Sequence, residues 1–159
     1  MHNIPWYIAL LISVPQTVLI IEFGFRLFNI QLKIRDILLL AVIIAVFCYF
    51  TRPLAVPYAV NTLILIALLS LLSSFICKVK LKYCFTSVLL GIIIYGVLES
   101  VLLPLIMNVL KISLEEVIVS PWVNLVAFVP IIIIAVLLLT FIIKRHFILC
   151  DFGSEADEV

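Results

Sequence analysis

Residues 121–145 read PWVNLVAFVPIIIIAVLLLTFIIKR, and no charged side chain interrupts them before Lys144. A helix rises 1.5 Å per residue, so about 20 apolar residues cover the roughly 30 Å of hydrocarbon in a bilayer. This stretch meets that length, with Pro121 and Trp122 at one end and Lys144 and Arg145 at the other. Outward from it lie four more apolar runs, over residues 4–23, 37–54, 57–76 and 84–107. They are continuous, without the two-residue alternation of a membrane barrel. The expectation is an all-α, polytopic membrane bundle of five transmembrane helices. The second run is the weakest. Its clean apolar part covers only 37–50, so spanning needs Thr51, Arg52 and Pro53, with Arg52 snorkelling to the interface.

The composition agrees. Of 159 residues 67% are hydrophobic and 12% charged, with a mean hydropathy of +1.43; a soluble domain has roughly 45–50% apolar and about 25% charged residues. A net charge of +1 with no basic cluster argues against nucleic acid as a partner, because phosphates need a basic face. The partner expected first is the lipid bilayer, and the location a cell (inner) membrane crossed several times. Residues 1–149 are read as one transmembrane domain and 150–159 as a short acidic cytoplasmic tail.

Basic residues give the orientation. Arg26, Lys33 and Arg35 fill the first gap, Lys78, Lys80 and Lys82 the third, and Lys144 and Arg145 follow the last run, whereas the other gaps hold only Arg52 and Lys111. Positive charge is retained on the cytoplasmic side, so the topology is read as N-out/C-in. Met-His-Asn at the start carries no basic residue and no small-x-small cleavage site follows, so the first run is expected to stay as a helix. Trp6, Tyr7, Tyr58 and Trp122 then fall at outer helix ends, where amphipathic rings settle. Pro5, Pro53, Pro57, Pro104 and Pro121 also lie toward that side, while Pro15 and Pro130 sit within helices one and five and are expected to bend them. Ser113-Leu-Glu-Glu116 fits a capping box opening a short interfacial helix.

Polar residues within the membrane are costly and point to function. Glu99 stands out, about 12 Å below the outer end of helix four. Asn61 and Thr62 lie one turn into helix three, and Arg52 sits just above the bilayer. Arg52, Asn61, Thr62 and Glu99 are the candidate ligand-binding residues, as an outward-opening recognition pocket. The competing reading is structural, an Arg52–Glu99 ion pair or a Glu99–Asn61 bond fastening helices together. Gln16, beside Pro15 near the midplane, is expected to bond freed backbone or a neighbouring helix. Glu22 and Arg26 have the spacing of an ordinary helical ion pair. Ser70, Ser73 and Ser74 suit close helix packing, and Gly91 and Gly96, five apart, do not make the G-x-x-x-G dimer motif.

Catalysis finds little footing. The chain has no H-E-x-x-H, G-x-S-x-G or Walker A stretch, and no Asp between Asp36 and Asp151. Cys48 lies inside helix two, and Cys77, Cys84 and Cys150 at or beyond the cytoplasmic boundary, so no structural disulfide is expected. Cys77 and Cys84 lack the spacing of a thiolate metal site. A Cys84 or Cys150 dyad with His146 would suit a membrane peptidase, but the Gly-rich, His-bearing stretch followed by Cys of such peptidases is missing. No enzyme activity, metal or cofactor is expected.

Arg52, Pro53, Pro57, Tyr58, Asn61 and Thr62 form an outer-side Arg-Pro-x-x-x-Pro-Tyr stretch leading into a polar residue and Thr. On an N-out array of five helices, this resembles the N-terminal membrane sensor region of Gram-positive histidine kinases of the accessory-gene-regulator type, which sense secreted peptides. The resemblance covers nearly the whole chain. In that family a helical segment bearing the phosphoacceptor His and an ATP-binding domain follow the last membrane helix, whereas here fifteen residues follow Lys144. The resemblance therefore implies a sensor-like module that binds a peptide or small-molecule ligand and acts on a separate kinase or other membrane protein. Two other classes compete. One is a substrate-binding membrane subunit of a small-molecule transporter, although no inverted repeat is visible; the other is a membrane assembly or structural factor.

Overall fold

The computed structural model describes residues 6–51, 58–113 and 120–149. All its regular elements among them are helices: α1 (Trp6–Leu27), α2 (Ile34–Thr51), α3 (Tyr58–Cys77), α4 (Leu81–Leu110) and α5 (Pro121–Lys144). All five are long and apolar enough to cross a membrane. The weak second run qualifies because its helix starts earlier than its apolar part, at Ile34, and takes Arg35 and Asp36 into its first turn. Its expected extension through Arg52 and Pro53 lies outside the described residues, as do 114–119 of the expected interfacial helix.

Two helices outrun their apolar runs. α1 continues through Gly24–Leu27, where Arg26 Nε donates to Glu22 Oε2 at 2.9 Å one turn back. α4 is 30 residues long, about 45 Å at 1.5 Å per residue; it starts at Leu81, ahead of its apolar run, with the Lys82 ammonium over the Tyr83 ring. The helices run unbroken through Pro15, Pro104 and Pro130.

Four helix ends are closed by non-glycine residues in the left-handed region: Asn29 after α1, Lys78 after α3, Lys111 after α4 and His146 after α5. Each turn of this kind returns backbone N–H groups to orphan carbonyls at the helix end. Ile30 N thus donates to Phe25 O at 2.9 Å, Ile112 N to Met107 O at 3.0 Å and Phe147 N to Ile142 O at 3.2 Å.

α1 is the central helix, packed on α2, α4 and α5, while α3 closes the bundle against α2 and α4. The core has two parts. One, toward the basic end, gathers Phe25, Phe28, Leu40, Val79 and Tyr83 around the turns α1–α2 and α3–α4. The other joins Leu19 and Phe23 of α1 to Tyr95 of α4 and to Ile131 and Ala135 of α5. α5 buries only one narrow line, Ala127, Ile131 and Ala135, spaced four apart. Ile132, Leu138, Leu139 and Ile142 are partly buried against the same part of the core, and Val126, Ile133, Leu137 and Phe141 face outward, as do Phe75 at 86% and Val109 at 80% exposure. In water so much exposed hydrocarbon would be strongly unfavourable; in lipid it is the expected outer surface. The helix order places Arg26, Lys33, Arg35, Lys78, Lys80, Lys82, Lys144 and Arg145 at one end of the bundle. There Leu149 N donates to Leu27 O at 2.8 Å, tying the segment after α5 to the end of α1.

Candidate functional site

Ser13, Gln16, Thr17 and Ile20 fall at spacings of three and four on α1, so they share one face. That face meets Ile44 and Cys48 of α2, Asn61, Thr62, Leu65 and Leu69 of α3, and Ile92 of α4 around a cavity of about 360 Å³. The volume lies at the small end of the range for ligand pockets. Asn61 and Thr62 are in the first turns of α3 and Leu69 in its middle, so the cavity occupies the half of the bundle away from the basic end and reaches toward the midplane. Its polar groups come mostly from α1 and the start of α3; the remainder is branched aliphatic surface.

The polar groups are ordered locally. Thr17 Oγ1 donates to Ser13 O one turn back at 2.8 Å, which uses the hydroxyl hydrogen and leaves lone pairs to accept. Gln16 Nε2 donates to Glu99 Oε2 at 3.4 Å, a long bond that joins α1 to α4. Gln16 lies ten residues into α1 and Glu99 eleven before the end of α4, roughly 15 and 16 Å along their axes, so the two antiparallel helices bring them to one depth. One turn from Glu99 on the same face, Tyr95 is 1% exposed, and its hydroxyl is buried without a hydrogen-bond partner; Asn124 Oδ1 on α5 is in the same condition.

Of the four residues read from the sequence, Asn61 and Thr62 line the cavity. Glu99 is attached to it through Gln16 rather than lining it, and lies further from the end of its helix than the 12 Å expected because α4 runs nearly one turn past Met107, to Leu110. Its hydrogen bond is to Gln16, where Asn61 had been considered. Arg52 lies outside the described residues. Sequence reasoning missed the contributions of Ser13 and Thr17; of the two bonds expected for Gln16, freed backbone or a neighbouring helix, the structure shows the second, with Glu99 as the partner that had not been named. The signal was present as a polar 13-16-17 stripe in the apolar part of α1, ahead of Glu22 and Arg26.

At the basic end, Cys84 is fully buried and its thiol donates to Val79 O at 3.7 Å. His146 is exposed and lines a small cavity of about 120 Å³ with Arg26, Asn29 and Gln31. The structure therefore does not bring Cys84 and His146 into a hydrogen-bonded pair, and Cys150 lies outside the described residues. Among the described residues Cys48, Cys77 and Cys84 form no disulfide. Among the described residues no three His, Cys, Asp or Glu side chains gather as a metal site. Comparison with protein-family models, with curated proteins and with solved structures gave no match to this chain.

Proposed function

We propose that this chain is a non-catalytic, sensor-like module of a cell (inner) membrane, set N-out/C-in, which recognises an extracellular or membrane ligand in the cavity between α1, α2, α3 and α4. The observation that carries the proposal is the cavity itself, with polar side chains near its outer part and aliphatic walls toward the midplane. Polar groups inside a bilayer are costly unless they serve packing or recognition, and here five of them border the cavity. The resemblance to peptide-sensing kinases adds the direction of signalling, from an outer ligand to a cytoplasmic partner.

The fold offers a route for such a signal. α1 supplies the polar stripe at the cavity and also ends at Leu27, whose carbonyl holds Leu149 beyond α5. A ligand that favours one position of α1 would bias the arrangement at the basic end, where a separate kinase or other membrane partner would dock. Such a bias needs a difference in affinity between two states.

The experiment is a thermal-unfolding screen of the protein in nanodiscs against peptides, vitamins and lipids, beside a variant with Leu65→Trp, which fills the cavity. A ligand bound only by the folded state raises the unfolding temperature by mass action. Stabilisation of the native protein and none of Leu65→Trp is expected. A vitamin-like hit of this kind would favour the transporter subunit; absence of any cavity-dependent hit would overturn ligand recognition.

A further inference from the structure

We infer that the cavity takes a small amphiphilic amine, its ammonium group held at the Gln16 amide oxygen with the Glu99 carboxylate behind it, and its hydrocarbon along the aliphatic wall. The inference rests on the cavity being a ligand site and adds the chemical class of the ligand.

The geometry of Gln16 is the starting point. One hydrogen of its Nε2 is given to Glu99 Oε2, and its amide oxygen remains as an acceptor on a side chain that borders the cavity. Thr17 points the same way: with its hydrogen given to Ser13 O, the hydroxyl offers acceptor lone pairs. A group bearing several N–H donors matches these two acceptors; because Asn61 and Ser13 at the same cavity carry donors of their own, the choice of an amine over an anion rests on charge.

Charge adds a second argument. Glu99 is a carboxylate half-buried in a helix that spans the bilayer, and its partner among the described residues is a neutral amide rather than a cation. Charged side chains at such depth pair with opposite charge. A ligand ammonium at the Gln16 oxygen would stand one amide group from that carboxylate, where the low dielectric makes attraction stronger than in water. Ile20, Ile44, Leu65, Leu69 and Ile92 supply hydrocarbon for the remainder of the ligand. At about 360 Å³ the site suits one short alkyl chain with its head group and is too small to enclose a folded peptide.

Three probes of equal chain length separate the contributions: n-octylamine, n-octanol and octanoate, each titrated against the protein in zwitterionic nanodiscs with unfolding temperature as the readout. Octylamine is expected to bind at least about tenfold more tightly than octanol, and octanoate most weakly. Glu99→Gln should bring octylamine down to the octanol level while octanol binding persists, which also shows that the variant is folded. Equal binding of amine and alcohol, a preference for octanoate, or an amine preference that survives Glu99→Gln would each overturn the inference and leave the cavity as a ligand site. If none of the three binds, while Leu65→Trp behaves like the native protein with every ligand of the broader screen, the recognition proposal fails as well.

Discussion

Gly24 of α1 and Gly91 of α4 meet at the crossing of the two helices, each lying against the backbone of the other. A Cβ placed on Gly24 would strike the carbonyl of Ser87 and stand 3.4 Å from Gly91 N; one on Gly91 would strike the carbonyl of Ile20 and stand 3.2 Å from Gly24 N. Small residues are what let membrane helices approach this closely. The contact also sets the cavity, because Ile20 and Ile92, neighbours of the two glycines in sequence or one turn away, both line it.

Gly24→Ala and Gly91→Ala should therefore each destabilise the bundle. The obstacle in both cases is backbone, which cannot rotate away, so the cost is expected toward the upper part of the roughly 1–3 kcal/mol typical of overpacking. Gly96 is the control, since a Cβ there meets nothing within 4 Å; Gly96→Ala should leave stability unchanged or slightly raised. Reversible unfolding in mixed micelles would measure all three, and equal behaviour of Gly91→Ala and Gly96→Ala would contradict the close crossing.

Gln16 and Glu99 should show coupling in a double-mutant cycle. Interhelical hydrogen bonds in membranes average about 0.6 kcal/mol and reach about 1.7; the 3.4 Å separation places this one in the lower half. Gln16→Leu, Glu99→Leu and the double variant would be unfolded side by side. A coupling energy indistinguishable from zero would mean that the two side chains are neighbours without being partners.

The helices themselves were legible, since an apolar run of twenty residues has few alternatives in a bilayer. Their ends were less so. Gly24–Leu27 interrupts the apolar pattern of α1, but the Glu22–Arg26 pair carries the helix through it. The left-handed residues that stop four helices are Asn29, Lys78, Lys111 and His146, and two of these are Lys, which carries no such signal in sequence. The site was half legible. Asn61, Thr62 and Glu99 announce themselves as polar residues in apolar helices, but which helices face one another is decided by side-chain packing. The Gly24–Gly91 crossing, which sets Gln16 opposite Glu99, could not be read from the spacing of Gly91 and Gly96 within one helix, because its partner glycine lies on another.

Ser73 and Ser87 are fully buried, and neither hydroxyl has a hydrogen-bond partner. Ser70 differs, with its hydroxyl donating to Ile66 O at 2.6 Å. An unsatisfied buried hydroxyl carries a desolvation cost that an apolar group of similar shape avoids. Ser73→Ala and Ser87→Ala should thus be neutral or stabilising, by up to about 1 kcal/mol, whereas Ser87→Leu should be strongly destabilising at the crowded α1–α4 crossing. A loss of stability on either alanine substitution would show that the hydroxyl is bonded in the membrane-embedded protein.

The proposed N-out/C-in topology can be tested at the two ends of the bundle. With helices long enough to span and joined in series, Lys33 and Lys78 share the end that also holds Arg145, and Lys111 lies at the opposite one. Retention of positive charge in the cytoplasm makes the first end internal. Single cysteines introduced as Lys33→Cys, Lys78→Cys or Lys111→Cys, in a chain with Cys48, Cys77, Cys84 and Cys150 replaced, would be treated with a membrane-impermeant maleimide in intact cells. Labelling of Lys111→Cys without permeabilisation, and of the other two only after it, is the expected result. The reverse pattern would invert the protein, put the cavity mouth on the cytoplasmic side and remove extracellular ligands from the proposal. Labelling of Lys33→Cys and Lys111→Cys from the same side would mean that the chain crosses the membrane an even number of times between them, which three spanning helices forbid.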